Sequence, residues 1–476
     1  MSRFLISAAH KSSGKTTLSI GLCAALHAKG LSVQAYKKGP DFIDPMWLAQ
    51  ASGHPCYNLD FYMMSRDEIL DAYYRHIESA DVGIIEGNKG LYDGLDLDGS
   101  NSNAALAQLL NVPVILIVDA RGMTRGVAPL ILGYQAFDRN IRIAGVILNR
   151  LGGLRHESKL RAVIEHYTDI PVLGAVQNDD ALQIVERHLG LMPNNESLAA
   201  ERKIRTIAAR IAEQVDLDRL LQKTIPQPEA TTTCTAYTTY KTELNSVRPH
   251  FRIGLMRDRA FGFYYADDLE ALNSGGAKII PVDALKDTRL PELDGLIIGG
   301  GFPELFLKEL EANTGLRDNI RQAIENGLPV YAECGGLMYL SRSIRWNEET
   351  HQMVGAIPGD IVMHAKPVGR GYVRLRETGL APWNLEKDKE AIGETEICAH
   401  EFHYSDMENL SPDTKFAYSV TRGHGLDGQH DGIVYRNLLA SYTHLRATQN
   451  FNWVQRFLAL VARHASTGKT SRQAAA

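Results

Sequence analysis

The chain has 476 residues, 44% hydrophobic and 22% charged, with a formal net charge of −5. That length allows roughly two to four domains around well-buried cores, and the charge balance excludes a basic footprint for nucleic acid or an anionic membrane. No apolar run approaches the ~20 residues of a membrane helix, and the start of the chain lacks the charged, apolar and cleavage regions of a signal peptide. Cys23, Cys56, Cys234, Cys334 and Cys398 lie far apart with no Cys-x-x-Cys pair. This argues against a disulfide framework or structural zinc and for a reducing cytoplasm.

The first predicted strand, Phe4–Ala8, runs into Ala9-His10-Lys11-Ser12-Ser13-Gly14-Lys15-Thr16-Thr17. Beyond it, Leu18, Ile20, Leu22, Ala25 and Leu26 fall at helical spacing. Strand, loop and helix in this order suit a phosphate-binding loop, in which backbone N–H groups and a helix N-terminus face the phosphates. Ser13, Gly14, Lys15, Thr16 and Thr17 are the nucleotide-binding candidates, with Lys15 reaching the β- and γ-phosphates and Thr16 a ligand of Mg²⁺.

Further strands are predicted at 32–37, 82–86, 114–119, 143–149 and 172–176, alternating with helical patterns. Such alternation predicts a mostly parallel sheet with helices on both faces and ligands at the carboxyl strand ends. Lys37-Lys38-Gly39-Pro40-Asp41-Phe42-Ile43-Asp44-Pro45 follows the second strand, and its glycine and prolines predict a rigid loop rather than a helix. Glu86-Gly87-Asn88-Lys89-Gly90-Leu91-Tyr92-Asp93-Gly94 follows the third strand. Thr16 with Asp44 or Glu86 would satisfy Mg²⁺, which takes oxygen ligands and keeps several waters. Lys37 and Lys38 are placed to neutralise charge in phosphoryl transfer. Asn149 is a minor candidate for reading an adenine edge.

A helical segment at 196–224 precedes a threonine-rich, apolar-poor stretch, 225–250, that reads as a linker. A second alternating region spans 251–464, and 465–476 is expected to be a disordered tail. Within that region Leu296-Ile297-Ile298 enters Gly299-Gly300-Gly301-Phe302-Pro303-Glu304, and Val330-Tyr331-Ala332 enters Glu333-Cys334-Gly335-Gly336. A cysteine at a strand-to-helix turn exposes its Sγ to a helix N-terminus, as in a nucleophile elbow. Gly300, Gly301 and Gly335 are candidates to donate N–H groups to an oxyanion or to bind glutamine. His444 in Ser441-Tyr442-Thr443-His444 is the leading base, with His400 and His403 of His400-Glu401-Phe402-His403-Tyr404-Ser405 competing.

These motifs together resemble the glutamine-dependent a,c-diamide synthases of cobalamin-type tetrapyrroles, the CbiA or CobB family. The resemblance covers nearly the whole chain outside the linker and tail, including Ala260-Phe261-Gly262-Phe263-Tyr264-Tyr265. It implies an α/β protein of two doubly wound domains: a P-loop, dethiobiotin-synthetase-like domain at 1–224 and a class I glutamine amidotransferase-like domain at 251–464. It also implies a reaction. Cys334 attacks glutamine, His444 shuttles the proton, and channelled ammonia displaces phosphate from an acyl phosphate made with ATP and Mg²⁺. Asp41 and Asp44 are then expected at the synthetase site, with Lys38 beside the nucleotide. The expected partners are a tetrapyrrole, glutamine and ATP, with no nucleic acid or membrane; a homodimer is allowed.

The sequence departs from the family at Ala9, where the loop opens with glycine, and at His10-Lys11. A related ATPase group carries a second loop lysine one place before Lys11. Met46-Trp47-Leu48 follows the Asp-Pro step where members carry a histidine, and Asn88-Lys89 replaces an apolar pair. Arg446 stands two residues after His444, where many such glutaminases have a carboxylate, so no third triad member is assigned. Cobyrinate is the leading substrate. Sirohaem or another sirohydrochlorin derivative, as in the DsrN branch, is the alternative, and a P-loop ATPase switch or metal carrier is the alternative from another class.

Overall fold

The computed structural model describes residues 1–184, 186–187, 190–193, 199–226, 251–384 and 396–474, with side chains to 466. It divides into two compact units, Met1–Tyr240 and Lys241–Ala476. The predicted linker lies outside the described residues from 227 onward, as does Cys234.

In the first unit, runs of Val, Ile and Leu form strands buried on both faces. They are β1 (Ser2–Ala8), β2 (Val33–Lys38), β3 (Tyr57–Leu59), β4 (Val82–Glu86), β5 (Val114–Asp119), β6 (Ile143–Leu151) and β7 (Val172–Gln177). They pair in parallel in the order β3-β2-β4-β1-β5-β6-β7. Chain order reverses around β1, so the loop after β1 sits at the switch point where such sheets bind ligands. Helices α1 (Lys15–Ala28), α2 (Ile43–Ser52), α3 (Arg66–Ile77), α4 (Asn103–Leu109), α5 (Val127–Phe137) and α6 (Leu154–Tyr167) connect the strands. A two-residue ladder, β8 (Glu186–Arg187) and β9 (Gly190–Leu191), precedes α7 (Ala200–Gln214) and α8 (Leu217–Lys223).

Local chemistry sets these ends. Ser65 and Glu68 form a reciprocal capping box at the start of α3, and Ser102 caps α4. The segment carrying Asp44 is a helix, not the predicted loop, because Pro45 falls in the first turn of α2, where a missing N–H costs nothing. The helical stretch near 200 is two helices, parted at Val215, which bridges Gly174 of β7.

The second unit begins with β10 (Phe251–Met256), β11 (Phe261–Phe263), α9 (Ala266–Ser274), β12 (Ala277–Val282), β13 (Gly295–Ile298) and β14 (Gly300–Gly301). Next come α10 (Leu307–Ala312), α11 (Thr314–Glu325), β15 (Val330–Glu333) and α12 (Gly335–Leu340). A small sheet follows from β16 (Ser343–Trp346), β17 (Glu349–Gln352) and β18 (Asp360–Met363), joined later by β21 (Ser405–Glu408). The remaining strands are β19 (Gly369–Glu377), β20 (Glu396–His403), β22 (Lys415–Arg422), β23 (His430–Tyr435) and β24 (Leu438–Ser441).

The main sheet runs β12-β10-β13-β15-β24-β23-β22-β19-β20. It is parallel from β12 to β24 and antiparallel beyond, so half of the predicted doubly wound sheet is a meander. Apolar clusters cover the sheet, one around Phe261, Ile298, Leu337 and Tyr339, another around Trp383, Tyr418 and Phe457. The last helix, α13 (Trp453–Ala474), continues through the segment predicted as a disordered tail.

Candidate active sites of the two units

In the first unit the loop after β1 turns at Ser12 (φ 61°) and Gly14 (φ 86°), delivering Lys15 and Thr16 to the first turn of α1. Ala9 keeps a negative φ, which any residue adopts, so its replacement of glycine needs no backbone strain. Its carbonyl accepts a 2.6 Å hydrogen bond from the Tyr134 hydroxyl. Asn149 donates to the Ser13 carbonyl at 2.8 Å, and a Cβ on Gly14 would lie 2.3 Å from the Asn149 amide nitrogen. The side chain given to the adenine therefore has its amide nitrogen on the loop backbone. Thr17 is half-buried on the first turn of α1.

Charged side chains from the ends of β2, β4 and the start of α2 converge beside Lys15. Thr16 Oγ1 lies 2.6 Å from Glu86 Oε1 and 3.3 Å from Asp44 Oδ2, and its single proton serves the shorter contact. The Lys37 ammonium bridges Asp44 Oδ2 at 2.5 Å and Glu86 Oε1 at 2.9 Å. Asp41 Oδ1 accepts from the N–H groups of Ile43 and Asp44, capping α2, while its Oδ2 stands 4.0 Å from Lys37. Glu86 Oε2 is buried without a hydrogen-bond partner.

Burial lowers the Lys15 pKa to about 8, with Glu86 opposing and Lys37 adding to the fall. Lys38 is also lowered to about 8, first by burial, with Asp60 opposing. Burial would lower Lys37 too, but Asp44, Glu86 and Asp41 win and hold it well above its ordinary value. Glu86 is raised, chiefly by burial, against the pull of Lys37. Asn88, one of the departures from the family pattern, accepts from Lys38 at 3.1 Å. Trp47, another, is buried and donates to the Met192 carbonyl at 2.9 Å.

In the second unit Cys334 links β15 to α12 at φ 48°, ψ −106°, a left-handed-side conformation that L residues rarely hold. Its N–H donates to the Ser441 carbonyl at 2.7 Å, fixing the elbow on β24. Close backbone packing surrounds it. A Cβ on Gly336 would lie 2.1 Å from the Ile298 carbonyl, and one on Gly335 would lie 3.0 Å from Gly301 N. A Cβ on Gly300 would lie 2.6 Å from His444 Cε1. Gly300, Gly301, Gly335, Cys334 and His444 are thus brought close together.

His444 Nδ1 hydrogen-bonds Glu333 Oε2 at 3.1 Å, and Cys334 stands close enough to act on the ring's pKa. Burial pulls the imidazole pKa down, but Cys334 and Glu333 outweigh it and raise it to about 10. The competing histidines are engaged elsewhere. His400 stacks on His444 with ring centroids 4.9 Å apart, and burial holds its pKa well below the ordinary value, helped by the His444 and Arg446 charges. His403 Nδ1 lies 2.9 Å from the Ser405 carbonyl, and its ring stacks on Tyr442. Arg446 points its guanidinium at Asp267, 2.5 Å away.

Glu333 is the residue the sequence reading leaves without a task. The signal was its place beside Cys334; the missing knowledge was that β15 and β24 are neighbours. Among the described residues no disulfide joins Cys23, Cys56, Cys334 or Cys398. No helix among them is long and apolar enough to cross a membrane.

A P-loop at the switch point of one sheet and a cysteine–histidine pair at the strand ends of another define an ATP-dependent carbon–nitrogen ligase with glutamine as amido donor. Residues 5–191 match the CobQ/CobB/MinD/ParA nucleotide binding domain, and residues 252–451 match the CobB/CobQ-like glutamine amidotransferase domain. A cobyrinate a,c-diamide synthase of Magnetococcus marinus is 45% identical over 452 residues, 95% of each chain. The enzyme of the same name from Methanosarcina barkeri is 41% identical, covering 93% of this chain and 92% of its own. That of Dehalococcoides mccartyi is 40% identical, covering 96% and 97%. The chain belongs to the cobyrinate a,c-diamide synthase family.

Proposed function

We propose that this enzyme amidates the a and c acetate carboxylates of cobyrinate in cobalamin biosynthesis, using ATP, Mg²⁺ and glutamine. The strained Cys334, close to His444 in a chain whose other unit carries a P-loop, is the observation that carries the reading. A carboxylate is a poor acyl donor, so the substrate oxygen attacks the γ-phosphorus, ADP leaves, and the resulting acyl phosphate accepts ammonia as phosphate departs. Ammonia in water at neutral pH is almost wholly protonated, which favours making it on the enzyme.

In the glutaminase half-reaction, Cys334 gives its proton to His444 and attacks the carboxamide carbon. The N–H groups of Gly300, Gly301 and Gly335 are the candidates to hold the oxyanion. In the synthetase half, the Ser13–Thr17 backbone and Lys15 hold the phosphates, and Lys37 and Lys38 offset the charge that develops in transfer. Thr16, Asp44 and Glu86 offer an all-oxygen donor set suited to Mg²⁺, and the unpartnered Glu86 Oε2 fits a ligand of that ion. Mg²⁺ bound there neutralises phosphate charge. Asp41, tied to the α2 N-terminus and next to Lys37, supports that cluster.

The experiment supplies cobyrinate or sirohaem with ATP, Mg²⁺ and glutamine and follows carboxylate-to-amide conversion by mass spectrometry. Cobyrinate is expected to gain two amides. Turnover of sirohaem with none of cobyrinate overturns the substrate assignment. Cys334→Ser is expected to lose glutamine-driven amidation and to keep amidation driven by an ammonium salt.

A further inference from the structure

The geometry points to Glu333, the residue immediately before the nucleophile, as the positioning carboxylate that orients His444 during glutamine hydrolysis. This deepens the proposed function and rests on reading Cys334 and His444 as the glutaminase pair. The sequence gives no carboxylate after His444, since Arg446 occupies the expected place and binds Asp267 Oδ2 at 2.5 and 3.0 Å. The structure supplies one from the neighbouring strand. Glu333 ends β15 in register with Ser441, the last residue of β24, and His444 follows three residues later.

Both carboxylate oxygens are committed. Oε2 accepts from His444 Nδ1 at 3.1 Å, and Oε1 accepts from the Leu445 N–H at 2.8 Å and from the Tyr331 hydroxyl. Tyr331 is itself fixed between the Trp453 ring, 4.4 Å away, and the Trp383 ring, 5.3 Å away. Glu333 is 7% exposed. A buried carboxylate held at three points cannot swing, so the ring it accepts from is held with it.

A carboxylate only accepts, so the proton of the neutral ring sits on Nδ1, and Nε2 is left as the basic nitrogen for Cys334. With the proton that Sγ gives up held on Nε2, the S–C bond forms. His444 returns the proton as the C–N bond breaks and ammonia leaves, and water then hydrolyses the thioester. Glu333 keeps accepting from Nδ1–H throughout and offsets the imidazolium charge. The neighbouring His400 cannot do this: it carries no negative charge and contacts His444 by stacking and by backbone pairing.

The test compares wild type with Glu333→Gln and Glu333→Asp in the full chain. The Gln amide keeps the shape and the Leu445 contact but presents a donor to Nδ1–H, so the ring flips its tautomer or its orientation. Glutaminase kcat is expected to fall on the order of 10³–10⁴-fold with KM for glutamine little changed, as for loss of the carboxylate in a serine-protease triad. The rate of Cys334 alkylation by iodoacetamide is expected to move its rising limb to higher pH, because the imidazolium that stabilises the thiolate is weakened. Glu333→Asp keeps the charge and is expected to keep the wild-type alkylation limb with a smaller loss of kcat. A folded Glu333→Gln, with the wild-type melting transition, unchanged kcat and unchanged alkylation profile overturns the inference. If Glu333→Gln does not fold, Glu333→Asp decides: an alkylation limb shifted as far as that of His444→Ala overturns it. Wild type that hydrolyses no glutamine, or Cys334→Ser that still does, would sink the underlying reading instead.

Discussion

Two lysines at the proposed nucleotide site are held near the edge of their charged range. Burial brings Lys15 and Lys38 each to about 8. In the proposed site a lysine holds phosphate only when protonated, so the competent form is full below that pH and is lost as pH rises through it. Affinity of the free enzyme for a non-hydrolysable ATP analogue, measured by calorimetry from pH 7 to 9.5, is expected to fall above about 8 with a slope exceeding one proton. Lys38→Met is expected to reduce that slope by one while leaving a descent set by Lys15; an unchanged slope removes Lys38 from the phosphate site. At this scale the sequence is informative wherever the proposed sites are built from a run of neighbours. Ser13 to Thr17, Lys38, Glu86 and Cys334 were all visible because each lies in a compact motif. Glu333 was visible but mute, since its partner His444 lies 111 positions away and is joined to it only by the pairing of β15 with β24. The same holds for Asn88 and Lys38, 50 positions apart.

The elements show where backbone packing, rather than side-chain chemistry, builds the site. α12 approaches β13 so closely that a methyl on Gly336 would lie 2.1 Å from the Ile298 carbonyl, an atom of the strand backbone that has no rotamer to escape into. Gly336→Ala is expected to cost about 1–3 kcal/mol of stability in the second unit. Because the displaced turn carries Cys334, glutamine-driven turnover should fall further than ATP-analogue binding. Equal losses in both, read alongside urea unfolding, would show that α12 does not position the nucleophile. Long, apolar strands were legible: 82–86 and 114–119 have the predicted ends. β3 was missed because three residues behind a proline carry no periodicity. The first turn of α2 was misread because Pro45 signals a break only in a helix interior. The antiparallel half of the second sheet was illegible for another reason. Strand direction depends on which strands pair, and alternation of apolar runs does not carry that information.

For the whole molecule, buried cations of the two units are shifted in opposite directions, Lys15 and Lys38 down and His444 up, and the units' stabilities should answer alkali in opposite directions. In the second unit His444 is raised to about 10, so the stability its protonation confers is complete below the unfolded value near 6.5 and is lost as pH climbs toward 10. His351, raised by its hydrogen bond to Glu311, adds to the loss in the same direction. In the first unit Lys15 and Lys38 are lowered to about 8 against 10.5 unfolded, so above 8 the unfolded chain holds more protons and stability rises with pH. That gain ends near pH 9, where the buried thiols of Cys23 and Cys56, both raised by burial, begin to favour the unfolded chain. A full proton of difference is worth about 1.4 kcal/mol per pH unit. Hydrogen exchange resolved by peptide and corrected for intrinsic rates should therefore show falling protection of β15 and β24 from pH 7 to 9. Over pH 8 to 9, protection of β1 and β4 should hold or increase. Cys334→Ala, which removes a partner that raises the His444 pKa, should flatten the decline in β15 and β24 without altering β1. If β1 and β15 instead lose protection together, alkali acts through a feature common to both units, and the buried pairs around Lys15 and His444 do not set the response.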